Sequence, residues 1–322
     1  MIVRWGLEEL GAVLAELGVE RPFLIASERW SSLDLPSVGS WHEVPSDRVE
    51  EIAALIAANG TDGLLAVGGG SAIDLAKSVS AETGLPVVSV PTTYSGAEWP
   101  VNFGVRDPER RIVSGGTGAH TAGIVYEPKL LLELPRELSG GSALNALAHC
   151  AEALYVEGRN AEGDEHALEG ARLIGESLPA VLEDGHDVEA RRTLLRGAMH
   201  GGAALASAGL GLGHAMAQAI GSRYGIFHGP ANALCLAPAL RFNRPVAGEE
   251  IERFGEALGS DDPIERTEEL ARLSGYERLR DFGVPEHELE EVAEATAERA
   301  GAKANPRSAS PAEIAELLRG IW

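Results

Sequence analysis

Residue type and spacing point to chemistry at five positions from Asn145 onward. Asn145 and His149 stand four apart in SALNALAHCAEALY, and His214 and Gln218 stand four apart in GLGHAMAQAIG. His228 follows in FHGPANA, fourteen positions after His214. On a helix, residues four apart share one face. Three imidazoles and two carboxamides lie among alanines and glycines, with few polar neighbours to keep them solvated. Neutral imidazoles can hold a divalent cation, and an imidazole can polarise or protonate a carbonyl oxygen. His42, His120, His166, His186, His200 and His287 fit no such pattern and read as incidental.

Two motifs in the first half suit a nucleotide. The first is Ala66–Lys77, AVGGGSAIDLAK, a glycine run between a strand and a helix. Glycines there let backbone N–H groups approach a diphosphate, and a helix N-terminus favours its negative charge. Gly68, Gly69, Gly70, Ser71 and Asp74 are the expected contacts, with Ser71 at the helix N-cap. The run is neither GxGxxG nor a P-loop, because Lys77 falls well inside the helix. The second motif is Val90–Pro100, VPTTYSGAEWP, a polar loop at the end of a buried strand. Its contacts would be Thr92, Thr93 and Ser95, with Arg111 further along.

The elements that must position these groups fall into two parts. Short apolar strands (Ile2–Trp5, Pro22–Ala26, Gly63–Val67, Pro86–Val90) alternate with helical patterns at Leu7–Leu17, Asp47–Asn59 and after Gly70. That alternation predicts a parallel α/β sheet covered on both faces. From Ser142 the pattern is helical throughout, without strand-like runs. The expected domains are therefore an α/β dinucleotide-binding domain over 1–137 and an all-α domain over 138–322, divided in the RELSGGS stretch.

Composition narrows the function classes. The net charge of −22 lacks the basic footprint that nucleic acid or an anionic membrane surface requires. No apolar run approaches the ~18 residues of a membrane span. The two cysteines, Cys150 and Cys235, make no disulfide framework, which fits a cytoplasmic protein. After the second strand, Glu28 suits NAD and Arg29 suits NADP, so the choice of cofactor stays open.

Taken together, the three motifs resemble the iron-containing alcohol dehydrogenase superfamily over essentially the whole chain. GGGSAIDLAK resembles its diphosphate loop and PTTYSGAEWP its second cofactor loop. Asn145, His149, His214 and His228 fall at its metal-ligand positions. Within the superfamily, PTTYSG, SALNALAHCAEALY and Ala304–Arg307 (ANPR) resemble the maleylacetate reductase branch. The resemblance implies a dehydroquinate synthase-like, group III alcohol dehydrogenase-like fold, a homodimer, and NADH- or NADPH-dependent conversion of maleylacetate to 3-oxoadipate in aromatic-compound catabolism. It also implies no tightly bound metal, with His149, His214 and His228 as donors to an oxyanion beside Asn145 and Gln218. Arg307, and more weakly Arg241, would pair with a substrate carboxylate.

Departures from the family pattern define the alternatives. Asn145 stands where metal-binding members carry a carboxylate, and Gln218 where the reductases carry a histidine. FHGPANA is nearer the metal-dependent alcohol dehydrogenases. The alternatives are a metal-dependent alcohol or polyol dehydrogenase using Asn145, His149, His214 and His228, and a nucleotide-binding relative without turnover. A dehydroquinate synthase-like lyase would need a strong metal site and several phosphate-binding lysines, against three lysines in the whole chain (Lys77, Lys129, Lys303).

Overall fold

The computed structural model describes all 322 residues, in two compact units. One comprises Met1–Thr93 and Ala97–Leu131, the other Tyr94–Gly96 and Leu132–Trp322. The first unit has eight strands: β1 (Ile2–Trp5), β2 (Pro22–Ala26), β3 (Gly39–Trp41), β4 (Gly63–Gly68), β5 (Pro86–Pro91), β6 (Phe103–Arg106), β7 (Ile112–Gly116) and β8 (His120–Tyr126). Its helices are α1 (Leu10–Glu16), α2 (Val49–Asn59) and α3 (Gly70–Thr83). Six strands form one parallel sheet in the order β1-β8-β5-β4-β2-β3, and β6 and β7 form a separate antiparallel hairpin.

The strand sequences explain the layering. Successive strand residues point to opposite faces. Phe23, Ile25, Leu64, Ala66 and Val87 pack with Ile52 and Ile56 of α2 and Ile73, Ala76 and Val79 of α3. Their neighbours Leu24, Ala26, Leu65, Val67, Val88 and Val90 pack with Leu10, Val13 and Leu14 of α1. Each strand thus feeds two cores and reads as an unbroken apolar run. The chain passes from β4 to β5 and β8 on one side, whereas β2 and β3 lie on the other. An open parallel sheet takes its ligand at the carboxyl ends where that direction reverses, here beside Ala26 and Gly68.

Four features depart from the sequence pattern. β8, between β1 and β5, is absent from it because Gly123 interrupts the apolar run. A Cβ there would meet Val13 Cγ1 at 2.9 Å, so the glycine is what lets α1 lie close. β3 and the β6–β7 hairpin are additional. The RELSGGS stretch, expected to divide the domains, is helical instead. It forms the start of α4 (Arg136–Ala153), and the units divide at Leu131/Leu132. Gly140 and Gly141 are packing positions: a Cβ would lie 2.3 Å from Ser274 Oγ and 2.7 Å from the Tyr276 hydroxyl, respectively.

The second unit continues with α5 (Ala161–Glu183), α6 (Val188–Ala208), α7 (Leu212–Tyr224), α8 (His228–Asn243), α9 (Gly248–Leu258), α10 (Pro263–Leu273), α11 (Leu289–Ala297), α12 (Ala300–Lys303) and α13 (Pro311–Gly320). α4 is central. It packs against α5, α6 and α8, and from Ser139 to Ala153 only Ser142 is not fully buried. No single helix is long and apolar enough to cross a membrane.

Candidate active site

At the carboxyl end of β4 the chain makes a turn that only small residues permit. Gly68 has φ +152°, and a Cβ on it would meet the Ala72 Cβ at 2.8 Å. Gly69 is the N-cap of α3, and a Cβ on it would meet Thr93 Cγ2 at 2.8 Å. The Thr92 N–H donates to the Gly68 carbonyl at 3.0 Å, so the two cofactor motifs form one structure. No side chain caps α3. Ser71 is therefore not the N-cap expected from the sequence but lies within the first turn. The leading N–H groups of a helix have no partner inside it; here those of Ala72 and Ile73 turn back to the Gly69 carbonyl, which leaves those of Gly70 and Ser71 for an anion. A narrow backbone cradle of this kind fits a dinucleotide diphosphate.

The other expected cofactor residues have partners within the protein. Asp74 pairs with the buried Lys77 ammonium at 2.9 Å and accepts from the Gly104 N–H at 3.4 Å. Lys77 also donates to the carbonyls of Ala97 and Asn102, at 2.7 and 2.5 Å, and thereby holds the end of the second motif. Arg111 sits at the β6–β7 turn, exposed, paired with Asp107 and Glu109. Ser95 belongs to the helical unit with Tyr94 and Gly96.

That three-residue segment is fastened by the helices. The Tyr94 N–H donates to Ser142 Oγ at 3.2 Å, and Arg191 Nη1 donates to the Tyr94 hydroxyl at 3.2 Å. Burial pushes the Tyr94 phenol up to about 12, against the opposing effect of Arg191. Asn145 Nδ2 donates to the Ser95 carbonyl at 3.0 Å. A carbonyl can only accept, so this bond fixes which way the amide faces. Asn145 Oδ1 then accepts from Asn232 Nδ2 at 2.7 Å, and Nδ2 lies 3.4 Å from His149 Nε2.

His149 and His214 are buried among these groups, and His228 is half-buried. The His149 and His214 rings stack with centroids 4.6 Å apart and an interplanar angle of 18°. Burial holds His149 well below the ordinary imidazole range, and the proximity of His214 and His228 adds to the effect. His149 is accordingly neutral at neutral pH. His214 faces a buried carboxylate: Nδ1 lies 2.7 Å from Glu152 Oε2. His228 is the first residue of α8 rather than part of a preceding loop. Gln218 is half-buried on α7, one turn beyond His214.

Glu152 and Asn232 are missing from the sequence reading, although their spacing signals both. Glu152 lies seven residues after Asn145 and three after His149, on the same helical face. Asn232 follows His228 by four.

Arg307, expected to pair with a substrate carboxylate, has partners within the protein. Its guanidinium stacks over Phe242 at 3.9 Å, donates to the Phe242 carbonyl at 3.1 Å and pairs with Glu313 at 2.7 Å. Phe242 is fourteen residues along α8 from His228, about 21 Å at 1.5 Å per residue. The ANPR motif acts through Asn305, which exchanges hydrogen bonds with Asn243 and accepts from the Leu212 N–H. Arg241 forms a surface pair with Glu268. His166 and His200, expected to be incidental, meet with their Nδ1 atoms 2.8 Å apart.

As a metal site this donor set fits poorly. No group of three or more His, Cys, Asp or Glu side chains is arranged to hold a metal ion. Position 145 offers no anion; its oxygen is taken by Asn232 and its N–H faces His149.

Comparison with known proteins gives a consistent result. The family model for the C-terminal part of the Fe-containing alcohol dehydrogenase family matches residues 141–322, and that for iron-containing alcohol dehydrogenase matches residues 4–117. The chain is 30% identical to the maleylacetate reductases of Pseudomonas sp. (strain P51) and Delftia acidovorans, over 98% of this chain and 93% of each relative. An iron-containing alcohol dehydrogenase from Corynebacterium glutamicum superposes with TM-score 0.91 at 29% identity, covering 100% of this chain and 94% of that one. The maleylacetate reductase from Agrobacterium tumefaciens superposes with TM-score 0.89 at 25% identity, covering 100% and 95%.

Proposed function

We propose that this chain, which belongs to the iron-containing alcohol dehydrogenase family, is an NAD(P)H-dependent reductase that converts maleylacetate to 3-oxoadipate. The observation that carries the reading is the buried pair of stacked imidazoles, one neutral and one backed by the Glu152 carboxylate, beside an asparagine where a metal site would need an anion. Relatives of this length and similarity are named for that substrate.

The chain's own groups divide the work. The glycine turn and the first turn of α3 hold the diphosphate, and Thr92 and Thr93 shape the rim of that cradle. A bound reduced nicotinamide supplies a hydride. In maleylacetate the alkene is conjugated to a ketone, so hydride adds to the alkene carbon β to that ketone. The negative charge passes to the ketone oxygen as an enolate, and a proton then enters at the α carbon. One hydride and one proton are taken up, and 3-oxoadipate and oxidised nicotinamide are released. His214 and His228 are the donors to the enolate oxygen, an interaction that strengthens as charge develops. The neutral His149 stacks against His214 and excludes water from its face.

We assign no step to a metal, because position 145 is committed to Ser95 and Asn232. One observation favours a metallo-dehydrogenase: an imidazole whose Nδ1 faces a carboxylate is also the usual posture of a metal ligand. A single assay series separates the readings. Maleylacetate, 2-oxo acids and aldehydes are screened with NADH and NADPH, alcohols and polyols with the oxidised cofactors, with and without chelator, alongside metal analysis of the protein. Chelator-resistant reduction of maleylacetate is expected. Chelator-sensitive alcohol oxidation with one equivalent of metal would replace the proposal by the metallo-dehydrogenase. Nucleotide-dependent thermal stabilisation without any turnover would replace it by a nucleotide-binding relative.

A further inference from the structure

The catalytic helix α7 begins on a carboxylate that comes from a different helix. Glu152, in the last turn of α4, has no solvent exposure. Its Oε2 accepts from the Gly211 N–H at 2.7 Å, and its Oε1 accepts from the His214 N–H at 3.1 Å. Gly211 is the N-cap of α7 and has no side chain of its own to offer. Glu152 thus supplies the cap, and the positive end of the helix favours the anion. The glycines of GLGH make room for it: a Cβ on Gly211 would lie 3.1 Å from Glu152 Cδ, and one on Gly213 would lie 2.9 Å from Oε1.

The same carboxylate reaches the imidazole. With both oxygens acting as acceptors for α7, a carboxylate offers only lone pairs to the group 2.7 Å from Oε2, and a proton on His214 Nδ1 completes that bond. His214 Nε2 is buried and has no protein partner. We infer that Glu152 is a positioning residue, which caps α7 and locks the Nδ1–H tautomer of His214 so that Nε2 alone is presented to substrate. The lock acts in one direction: with Nδ1 committed to Glu152, only Nε2 is left to exchange a proton with a bound ligand. The kinetic consequence rests on the reductase reading above, whereas the tautomer does not.

The test therefore has two arms. Histidine is labelled with ¹⁵N, and the His214 ring is assigned among the nine histidines by its disappearance in His214→Asn. In the unmodified protein Nδ1 should bear the proton; a His214 protonated only at Nε2 overturns the inference with no variant needed. Glu152→Gln presents an amide N–H where the carboxylate accepts, so the ring should turn to the Nε2–H form. Turnover of maleylacetate should then fall roughly 100-fold, with KM and NAD(P)H affinity within about twofold, as for other groups that orient a reacting imidazole or ligand. Glu152→Asp keeps the anion and should restore the Nδ1–H form and most of the turnover. A folded Glu152→Gln protein with an unchanged tautomer or an unchanged kcat overturns the inference. If the unmodified protein reduces no maleylacetate, the reductase reading fails while the tautomer arm still decides the role of Glu152.

Discussion

Gly69→Ala is the sharpest perturbation of the cofactor cradle, because its effect can be worked from distances. The residue has φ −81° and ψ −170°, which any amino acid adopts, so the backbone itself is unstrained by the change. The obstacle is Thr93, whose Cγ2 would lie 2.8 Å from the new Cβ and whose Oγ1 would lie 3.3 Å away. Carbon atoms pack comfortably at about 3.5–4.0 Å, so the turn or Thr93 must yield by roughly an ångström. Overpacking of that kind costs about 1–3 kcal/mol. Thr93 cannot retreat freely, since the neighbouring Thr92 N–H is bonded to the Gly68 carbonyl. The β4–α3 turn is then displaced, and the first N–H groups of α3 lose their aim. A hydrogen bond to a charged group contributes about 1.5–3 kcal/mol, so losing one weakens nucleotide binding by about 10- to 150-fold.

Titration of the intrinsic fluorescence with NADH and NADPH reads that change, and denaturant unfolding reads the stability term. Two companions make the assay specific. Gly69→Ala combined with Thr93→Ser removes Cγ2 and should recover most of the affinity. Gly84→Ala, at φ +76° with no atom within 4 Å of a built Cβ, should cost about 1–2 kcal/mol of stability through its backbone and leave affinity unchanged. A Gly69→Ala protein whose Kd stays within about twofold of the unmodified value would refute the cradle argument.

Asn145→Asp should lose about 1–3 kcal/mol of stability, because a carboxylate oxygen replaces the donor facing the Ser95 carbonyl; added Zn²⁺ should recover part of it, with close to one equivalent bound by metal analysis against far less in the unmodified protein. Arg307→Ala should lower stability by about 1–2 kcal/mol without raising KM for the dicarboxylate, since its guanidinium serves Phe242 and Glu313; a tenfold rise in KM would return it to the substrate site. Burial raises the carboxyl pKa of Glu98, opposed by its hydrogen bonds and by Lys77, so the folded chain keeps a proton that the unfolded chain releases; stability from this group is full below the ordinary carboxyl range and is lost as pH rises through the folded pKa, at up to about 1.4 kcal/mol per pH unit. Glu98→Gln should remove that component, and equal pH slopes for the two proteins between about pH 5 and pH 8 would contradict the assignment.

The division into an α/β part and a helical part is legible because it rests on periodicity, which sequence carries directly. What periodicity cannot show is why a glycine is present. In RELSGGS, Gly140 and Gly141 look like a linker, yet they let α4 meet Ser274, Tyr276 and the Gly229 backbone. In β8, Gly123 looks like a turn, yet it admits Val13 of α1. In both places the partners lie more than eighty residues away, and no local pattern encodes them. At Gly68 and Gly69 the partners are nearer in sequence, Ala72 and Thr93, and there the need for a small residue is legible locally.

The same distinction runs through the polar residues. Asn145, His149, Glu152 and the pair His228 and Asn232 obey helical spacing, so their grouping can be read from the chain. The roles inside that grouping cannot. Whether Asn145 faces a cation or a carbonyl depends on Ser95, fifty residues earlier, and on Asn232, eighty-seven later. Arg307 illustrates the reverse case. A dicarboxylate calls for a guanidinium, but electrostatic demand does not place one. Arg307 is pinned at the end of α8 by Glu313 and Phe242, and the residue of its motif that reaches toward α7 is Asn305, which closes the backbone two residues before His214. In this chain the buried amides and the carboxylate of Glu152 hold the side chains around the imidazoles, and the substrate chemistry proposed for them depends on that posture rather than on the histidines alone.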